Sequence, residues 1–348
     1  SAPSSQKLEP PANPGRFTLP LSFARNCSRI PVTPGNIMMA QLVPQEPVSI
    51  RPEAIRKVLV ISSFKDTDPL KNMLSGSLEA VKENWENQID LTHVWVSTVD
   101  EFVAALNAFD GAILIFDGHG VPNSETPISK IAIADHQLDV WSLRGRVKCP
   151  PIVILSACDT QGVDASSHAT VGNGFIALGA QTVVGTFLPV HGARSAMFIA
   201  RLMHRIAEYV PAAIRAFKRS ITWIDVVSGM LRMLLATEVI VALVGKPDTE
   251  EFKELQGAAN NEINSRNSDW FNKLIDRVAN FRKVDRATAE RLVQDVVARS
   301  DAIRYTQLGN PENILISDDT ILDGVLEAYA MNGSADQSAG TYTLTYNR

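Results

Sequence analysis

Cysteine is scarce in this 348-residue sequence, which contains only Cys27, Cys149 and Cys158. An odd and sparse set does not form the disulfide framework of a secreted domain, so the sequence predicts a reducing compartment, the cytoplasm. No pair of Cys or His residues has CxxC or HxxxH spacing, so the common zinc motifs are excluded. The N-terminus lacks a basic stretch followed by an apolar run, and no secretory signal is therefore expected.

Concentrated positive charge and long apolar runs are also missing. The formal net charge is -5, and the 33 Lys and Arg residues are scattered among 38 acidic residues. Direct nucleic-acid binding needs a concentrated basic surface, so it is not expected. The most apolar stretch, Met230 to Gly245, contains Arg232 and Glu238. It predicts a buried helix, and no membrane partner is expected.

Proline and secondary-structure periodicity divide the chain. Residues 1–50 are rich in proline and predict an extended arm or linker. Apolar β-branched runs then alternate with helical patterns, which favours a mostly parallel sheet covered on both faces. The predicted strands cover 58–62, 91–96, 111–116, 131–134, 151–155 and 182–185, and the predicted helices cover 70–84, 100–109, 138–144, 174–178 and 192–209.

The C-terminal third has a different pattern. Residues 211–300 are predicted to be a helical insertion, and strand-like segments follow at 303–308 and 313–316. We therefore predict a main α/β domain over residues 51–316 that contains this insertion. Residues 317–348 form a predicted tail, in which 341–346 alternates like an edge strand.

Two chemically capable residues follow neighbouring apolar strands. His119 comes after the strand at 111–116, and Cys158 comes after the strand at 151–155. Ligands of open α/β sheets bind beyond the carboxyl ends of the strands, and adjacent strands lie about 5 Å apart. The two side chains are therefore predicted to form a catalytic pair, with Cys158 as the nucleophile and His119 as the base.

The residues beside this pair suggest further roles. The backbone amides of Gly120 and Cys158 could form an oxyanion hole. Asp117 or Asp159 could tune the imidazole. Ser62 and Ser156 end the first and fourth predicted strands, so they are candidates for lining a substrate pocket.

The motifs in this order resemble those of the CHAT family of caspase-like peptidases, which is related to caspases, separase and gingipains. The resemblance rests on five segments: Phe116-Asp-Gly-His-Gly120, Leu155-Ser-Ala-Cys-Asp-Thr160, Gly174-Phe-Ile-Ala-Leu-Gly-Ala-Gln-Thr-Val-Val-Gly185, Phe187-Leu-Pro-Val-His191 and Leu308-Gly-Asn-Pro311. It departs from the family at Phe187, where tryptophan is more usual, and in the length of the helical insertion.

The resemblance implies a caspase-like three-layer α/β/α sandwich and a cysteine endopeptidase that cleaves proteins or peptides without a metal or cofactor. Family members often act in bacterial regulatory or defence systems under the control of an activating partner. Relatives that cut after Arg or Lys carry an acid two residues before the nucleophile, where this sequence has Ser156. A basic P1 preference would instead depend on Asp117 or Asp159.

Two alternatives remain open. A caspase-like module without activity could act as an interaction scaffold, although both catalytic residue types are present. Asp117-Gly-His119 also matches the Asp-x-His opening of metal-dependent phosphoesterases, but the Asn-His cluster that such enzymes need downstream is missing. Cys27 and Cys149 are interpreted as structural or neutral thiols.

Overall fold

The structure is a computed structural model that describes residues 19–29, 47–85, 88–121, 129–156, 170–245, 247, 249–318 and 321. The chain divides into two compact units. The first combines Ser28–Val227 with Thr306–Arg348, and the second combines Ser1–Cys27 with Ser228–Tyr305. The predicted Pro-rich arm lies mostly outside the described residues, as does the strand-like segment at 341–346.

The described strands and helices are labelled in chain order. The strands are β1 Val48–Ile50, β2 Lys57–Ser62, β3 Asp90–Trp95, β4 Ile113–Asp117, β5 Gly120–Val121, β6 Lys130–Ile133, β7 His136–Leu138, β8 Ile152–Ser156, β9 Thr182–Thr186, β10 Ile221–Thr222, β11 Tyr305–Gly309 and β12 Ile314–Ile316. The α-helices are α1 Leu21–Ala24, α2 Pro52–Ile55, α3 Met73–Glu79, α4 Val99–Ala108, α5 Val171–Ala177, α6 Gly192–His204, α7 Val210–Phe217, α8 Trp223–Leu243, α9 Glu250–Asn264, α10 Trp270–Arg282 and α11 Arg286–Val297.

A six-stranded sheet organises the first unit. Its strand order is β11-β9-β8-β4-β2-β3, and every pairing from β9 to β3 is parallel. Two three-stranded sheets, β1-β12-β10 and β5-β6-β7, lie elsewhere in the unit. The predicted α/β fold with a mostly parallel sheet is confirmed.

Both faces of this sheet are covered, which explains why the middles of its inner strands β2, β4 and β8 are apolar and buried. On one face, Leu59, Leu114 and Val153 pack against Phe102 of α4 and Phe175 of α5 in one buried cluster. Helices α3 and α6 pack against each other, and α6 also contacts β8. Val60, Ile115 and Ile154 alternate with the first set and are fully or almost fully buried. The sheet therefore forms the middle of three layers.

The helix predicted over 70–84 is shorter in the structure, where α3 spans Met73–Glu79. Pro69 disfavours helical geometry at Asp68, and the Asp68 carboxylate accepts a hydrogen bond from the Leu70 amide. The chain is held in turns up to Asn72 for this reason.

Two other predicted helices also differ from the structure. The helix predicted at 138–144 is a short 3-10 helix, Val140–Leu143. The helix predicted at 192–209 is α-helical to His204 and continues as a π-helical turn, Arg205–Tyr209.

The second unit is mainly helical. Thr249 caps α9 by accepting from the Phe252 amide, and Asp285 caps α11 through the Thr288 amide. Among the described residues, α8 is long and apolar enough to cross a membrane by length and composition. However, 61% of its apolar window is buried within the protein.

The Leu308-Gly-Asn-Pro311 motif contains a backbone position that only glycine suits. Gly309 has a φ of +82°, and a Cβ there would lie 2.3 Å from the carbonyl oxygen of Gln181. That same carbonyl accepts the Asn310 amide, at 2.9 Å. A side chain would therefore push β11 away from the segment that precedes β9.

We expect Gly309→Ala to lower the free energy of unfolding by about 3 kcal/mol, from left-handed strain plus overpacking. Gly179→Ala is the matched control, because Gly179 has a φ of +108° and no neighbouring atom lies within 4 Å of the place that a Cβ would take. It should cost only about 1 to 2 kcal/mol. Urea denaturation measures both, and equal losses would contradict the close approach at Gly309.

Candidate active site

The last residues of three parallel strands form one polar row. The strand register aligns Ser62 of β2 with Asp117 of β4, and Asp117 with Ser156 of β8. The residues before them are apolar and buried, so polarity begins where the strands end. This row lies at the carboxyl edge of the sheet, where α/β proteins bind ligands.

His119 stands just beyond this row. Gly118 makes a close approach there, since a Cβ would lie 2.8 Å from the Phe116 ring and 3.0 Å from the Ser63 carbonyl oxygen. The His119 carbonyl accepts a hydrogen bond from the Ala132 amide, at 2.9 Å. The glycine and the neighbouring β6 backbone thus fix the position of the histidine main chain.

The imidazole of His119 contacts a carboxylate that the sequence analysis did not identify. Its Nε2 lies 2.6 Å from Oδ2 of Asp68, in the turn between β2 and α3. Burial opposes ionisation of Asp68, but hydrogen bonds from the Leu70 amide and His119, together with the histidine charge, lower the pKa of the carboxyl below its ordinary value. The Phe64 ring also meets the imidazole edge-on, with 5.3 Å between ring centroids.

A small cavity adjoins His119. It has a volume of about 50 Å³, room for a few water molecules. Asp117, Ser156 and Ser195 supply its polar lining, and the remaining walls are largely apolar. The apolar wall residues are Phe64, Leu70, Met73, Leu74, Val190 and Ala196.

Asp117 is the most perturbed acid of this site. The residue is only 5% exposed, and burial raises the pKa of its carboxyl to about 7, against the opposing effects of hydrogen bonds from Ser62 and Ser156 and of the His119 charge. The Ser62 hydroxyl donates to Asp117 Oδ2 at 3.1 Å. Among the described residues, no Lys or Arg forms an ion pair with Asp117.

Ser62 donates a hydrogen bond to Asp117 and is not among the residues that line the cavity, although the sequence predicted a pocket-lining role for it. Its side chain is fully buried, and its hydroxyl also lies 2.8 Å from Nε2 of His93. Burial lowers the pKa of His93. Ser156 does line the cavity, and its hydroxyl lies 3.3 Å from that of Ser195.

The remaining predicted site residues divide into two groups. Gly120 begins β5 and pairs with Ile131 of β6. Cys158 and Asp159 lie outside the described residues. Cys149 packs beside the buried cluster under the sheet, and burial raises the pKa of its thiol to about 12.

Sequence reasoning missed Asp68, Phe64 and Ser195. Asp68 and Phe64 follow β2, so the rule that locates His119 and Cys158 at strand ends also applies to them. Ser195 had no such signal, because it lies in the first turn of α6 and only the packing of that helix brings it to Ser156. In the described part of the chain, no group of three or more His, Cys, Asp or Glu residues could hold a metal ion.

Comparison with known proteins identifies the family. The CHAT domain model matches residues 28–220, more than half of the 348-residue chain. The chain therefore belongs to the CHAT domain family, as its motifs predicted. A search of the curated proteins gives no match.

One similar solved structure is a secreted C11 cysteine protease from Bacteroides thetaiotaomicron, determined by X-ray analysis in complex with an irreversible peptide inhibitor. Its sequence is 11% identical, the match covers 65% of this chain and 82% of that chain, and the TM-score is 0.31. No residue role is transferred from it.

The raised pKa of Asp117 predicts a specific pH dependence of stability. The carboxyl ionises near pH 3.8 when unfolded but near pH 7 when folded, so ionisation favours the unfolded chain as the pH rises between these values. The resulting loss in the free energy of unfolding reaches up to about 4 kcal/mol above pH 7. Asp117→Asn should therefore be more stable than the wild type at pH 8, by an amount that shrinks toward pH 4.

Chemical denaturation of both proteins across this range measures the difference. Asp110→Asn is the control, because that carboxylate is 77% exposed in its pair with Lys57. It should change the free energy of unfolding only slightly, since exposed ion pairs contribute little to stability. A constant difference between Asp117→Asn and the wild type would contradict the raised pKa.

Proposed function

We propose that this protein is a caspase-like cysteine endopeptidase in which His119 and Cys158 form the catalytic dyad. The observation that carries the proposal is the shared cavity of His119 and Ser156 at the carboxyl edge of the sheet. Cys158 follows Ser156 by two residues, and two trans peptide links span at most about 7.6 Å between Cα atoms. Chain connectivity therefore favours a nucleophile beside this cavity.

In the proposed reaction, the His119 imidazole takes the proton of the Cys158 thiol and the bonding pair stays on sulfur. The thiolate attacks the scissile carbonyl carbon while the carbonyl π pair moves to oxygen, where the amides of Gly120 and Cys158 would donate. Collapse of this oxyanion breaks the C–N bond, and the imidazolium protonates the leaving amine. Water activated by His119 then hydrolyses the thioester and restores the thiol.

The composition and motifs support the wider setting of this proposal. The scarcity of cysteine favours the cytoplasm. Protein or peptide substrates suit the chemistry, and we propose that a partner protein activates the enzyme in a bacterial regulatory or defence system. No cofactor takes part in the proposed steps.

We also propose that the enzyme prefers a basic P1 residue, with Asp117 as its counter-charge. A buried carboxyl without a Lys or Arg partner among the described residues is costly to ionise, and an incoming ammonium or guanidinium would offset that cost. The apolar walls suit the aliphatic stem of Lys or Arg. The cavity of about 50 Å³ is smaller than such a side chain, so Leu70 and Met73 would have to move outward on binding.

Hydrolysis of a fluorogenic peptide library tests the dyad. We expect Cys158→Ala and His119→Ala each to lower kcat/KM at least about 100-fold, since each removes a reacting group. Cys149→Ala is the matched cysteine control and should retain activity, because the Cys149 thiol is not ionised near neutral pH. If the wild type cleaves no peptide or candidate partner protein under any condition, the scaffold interpretation replaces the peptidase.

Paired substrates test the P1 preference separately. Arginine and its neutral isostere citrulline at P1 should differ at least about 10-fold in kcat/KM, consistent with a hydrogen-bonded charge pair. A bound cation favours ionised Asp117, so the arginine rate should rise as the pH increases through about 7. Asp117→Asn should abolish both effects. Equal cleavage of the two substrates would refute the basic preference and leave the dyad intact.

A further inference from the structure

We propose that Asp68 is a positioning residue for His119 that holds the imidazole in the tautomer whose Nδ1 is the base for the Cys158 thiol. The inference rests on the proposed peptidase function. It extends the dyad to a carboxylate from a different strand end, whereas the sequence suggested Asp117 or Asp159 for tuning the histidine.

The first support is that the two carboxylate oxygens of Asp68 have different hydrogen-bond partners. Oδ1 accepts the Leu70 amide at 2.9 Å, which holds the side chain in its turn. Oδ2 is then directed to Nε2 of His119, at 2.6 Å. The Asp68 side chain is only 15% exposed, so little solvent competes for this contact.

The second support is the charge state of the acid. The lowered pKa of Asp68 means that the carboxyl is ionised near neutral pH, and an ionised carboxylate only accepts hydrogen bonds. Nε2 must therefore donate, which leaves the lone pair of a neutral imidazole on Nδ1. No described residue has a hydrogen bond to Nδ1 in the structure.

The third support is the set of contacts around the ring and its main chain. Phe64 meets the imidazole at an interplanar angle of 85°, and the Ala132 amide holds the His119 carbonyl. When the thiol proton reaches Nδ1, the imidazolium lies next to the Asp68 carboxylate, which stabilises the new positive charge. The same contact would therefore orient the base and favour the thiolate-imidazolium pair.

The two lysines on the segment that carries Asp68 are paired with other acids. Lys71 pairs with Asp66, and Lys65 pairs with Asp135 at 2.6 Å. The His119 charge lowers the pKa of Asp117, but the hydrogen bonds of that carboxyl come from Ser62 and Ser156. Asp68 is thus the acid in direct contact with the imidazole among the described residues.

Asp68→Asn tests the proposal with little change in shape. The asparagine Oδ1 can still accept the Leu70 amide, so the turn is retained. Its Nδ2 becomes a donor facing Nε2, which must then accept, and the imidazole proton moves to Nδ1. We expect kcat/KM to fall about 10- to 100-fold, as for other residues that orient a reacting group.

The decisive readout is the pH dependence of Cys158 alkylation by iodoacetamide, followed by mass spectrometry. In Asp68→Asn, the midpoint of thiolate formation should move to higher pH, and in Asp68→Glu it should stay nearer that of the wild type. Asp66→Asn is the matched control, because Asp66 is 95% exposed and bound to Lys71. Its activity and alkylation profile should not change.

The outcomes separate this inference from the proposed function. An unchanged alkylation profile in Asp68→Asn, or faster peptide cleavage than in the wild type, would overturn the positioning role. Alkylation needs no substrate, so it tests Asp68 even if the wild type cleaves no peptide. If Asp68→Asn fails to fold, Asp68→Ser takes its place, because a serine hydroxyl can still accept the Leu70 amide. An alkylation midpoint equal to that of the wild type in Asp68→Ser would then refute the inference.

Discussion

The parallel register of β2, β4 and β8 is the constraint on which the candidate site depends. Because these strands pair in parallel and end at the same register position, their last residues form one row: Ser62, Asp117 and Ser156. The residues that directly precede this row are apolar and buried. Hydroxyl and carboxyl groups therefore come together at the ends of these strands, where Asp117 and Ser156 line a cavity with His119.

Much of this arrangement follows from local sequence. The apolar β-branched runs predicted the inner strands to within a residue or two, because a strand buried on both faces has no room for polar side chains. The helix predicted at 70–84 failed at its start, since apolar spacing does not reveal that Asp68 and Pro69 hold the chain in turns. Helical periodicity indicates which residues face the core. It does not reveal local hydrogen bonds, such as that between Asp68 and the Leu70 amide, that favour a turn.

The site was predictable where sequence and strand ends coincide. His119, Asp117 and Ser156 come to one cavity as expected, because each ends or follows a strand. Ser62 obeys the same rule and lies in the same row, but it is fully buried and its hydroxyl is engaged by Asp117 and His93, so it does not reach the cavity. Ser195 belongs to a helix, and its approach to Ser156 depends on tertiary packing that no local pattern encodes.

Two carboxyl groups beside one imidazole have opposite pKa shifts, and their surroundings explain why. Asp117 is buried at the end of β4, where two serine hydroxyls do not compensate for lost hydration, and its pKa rises to about 7. Asp68 lies in a turn, where a backbone amide and His119 favour the charged form. Such a separation suits distinct tasks. An acid that is ionised at rest can hold a base in place, whereas an acid with a pKa of about 7 is driven further toward its ionised form when a basic side chain binds beside it.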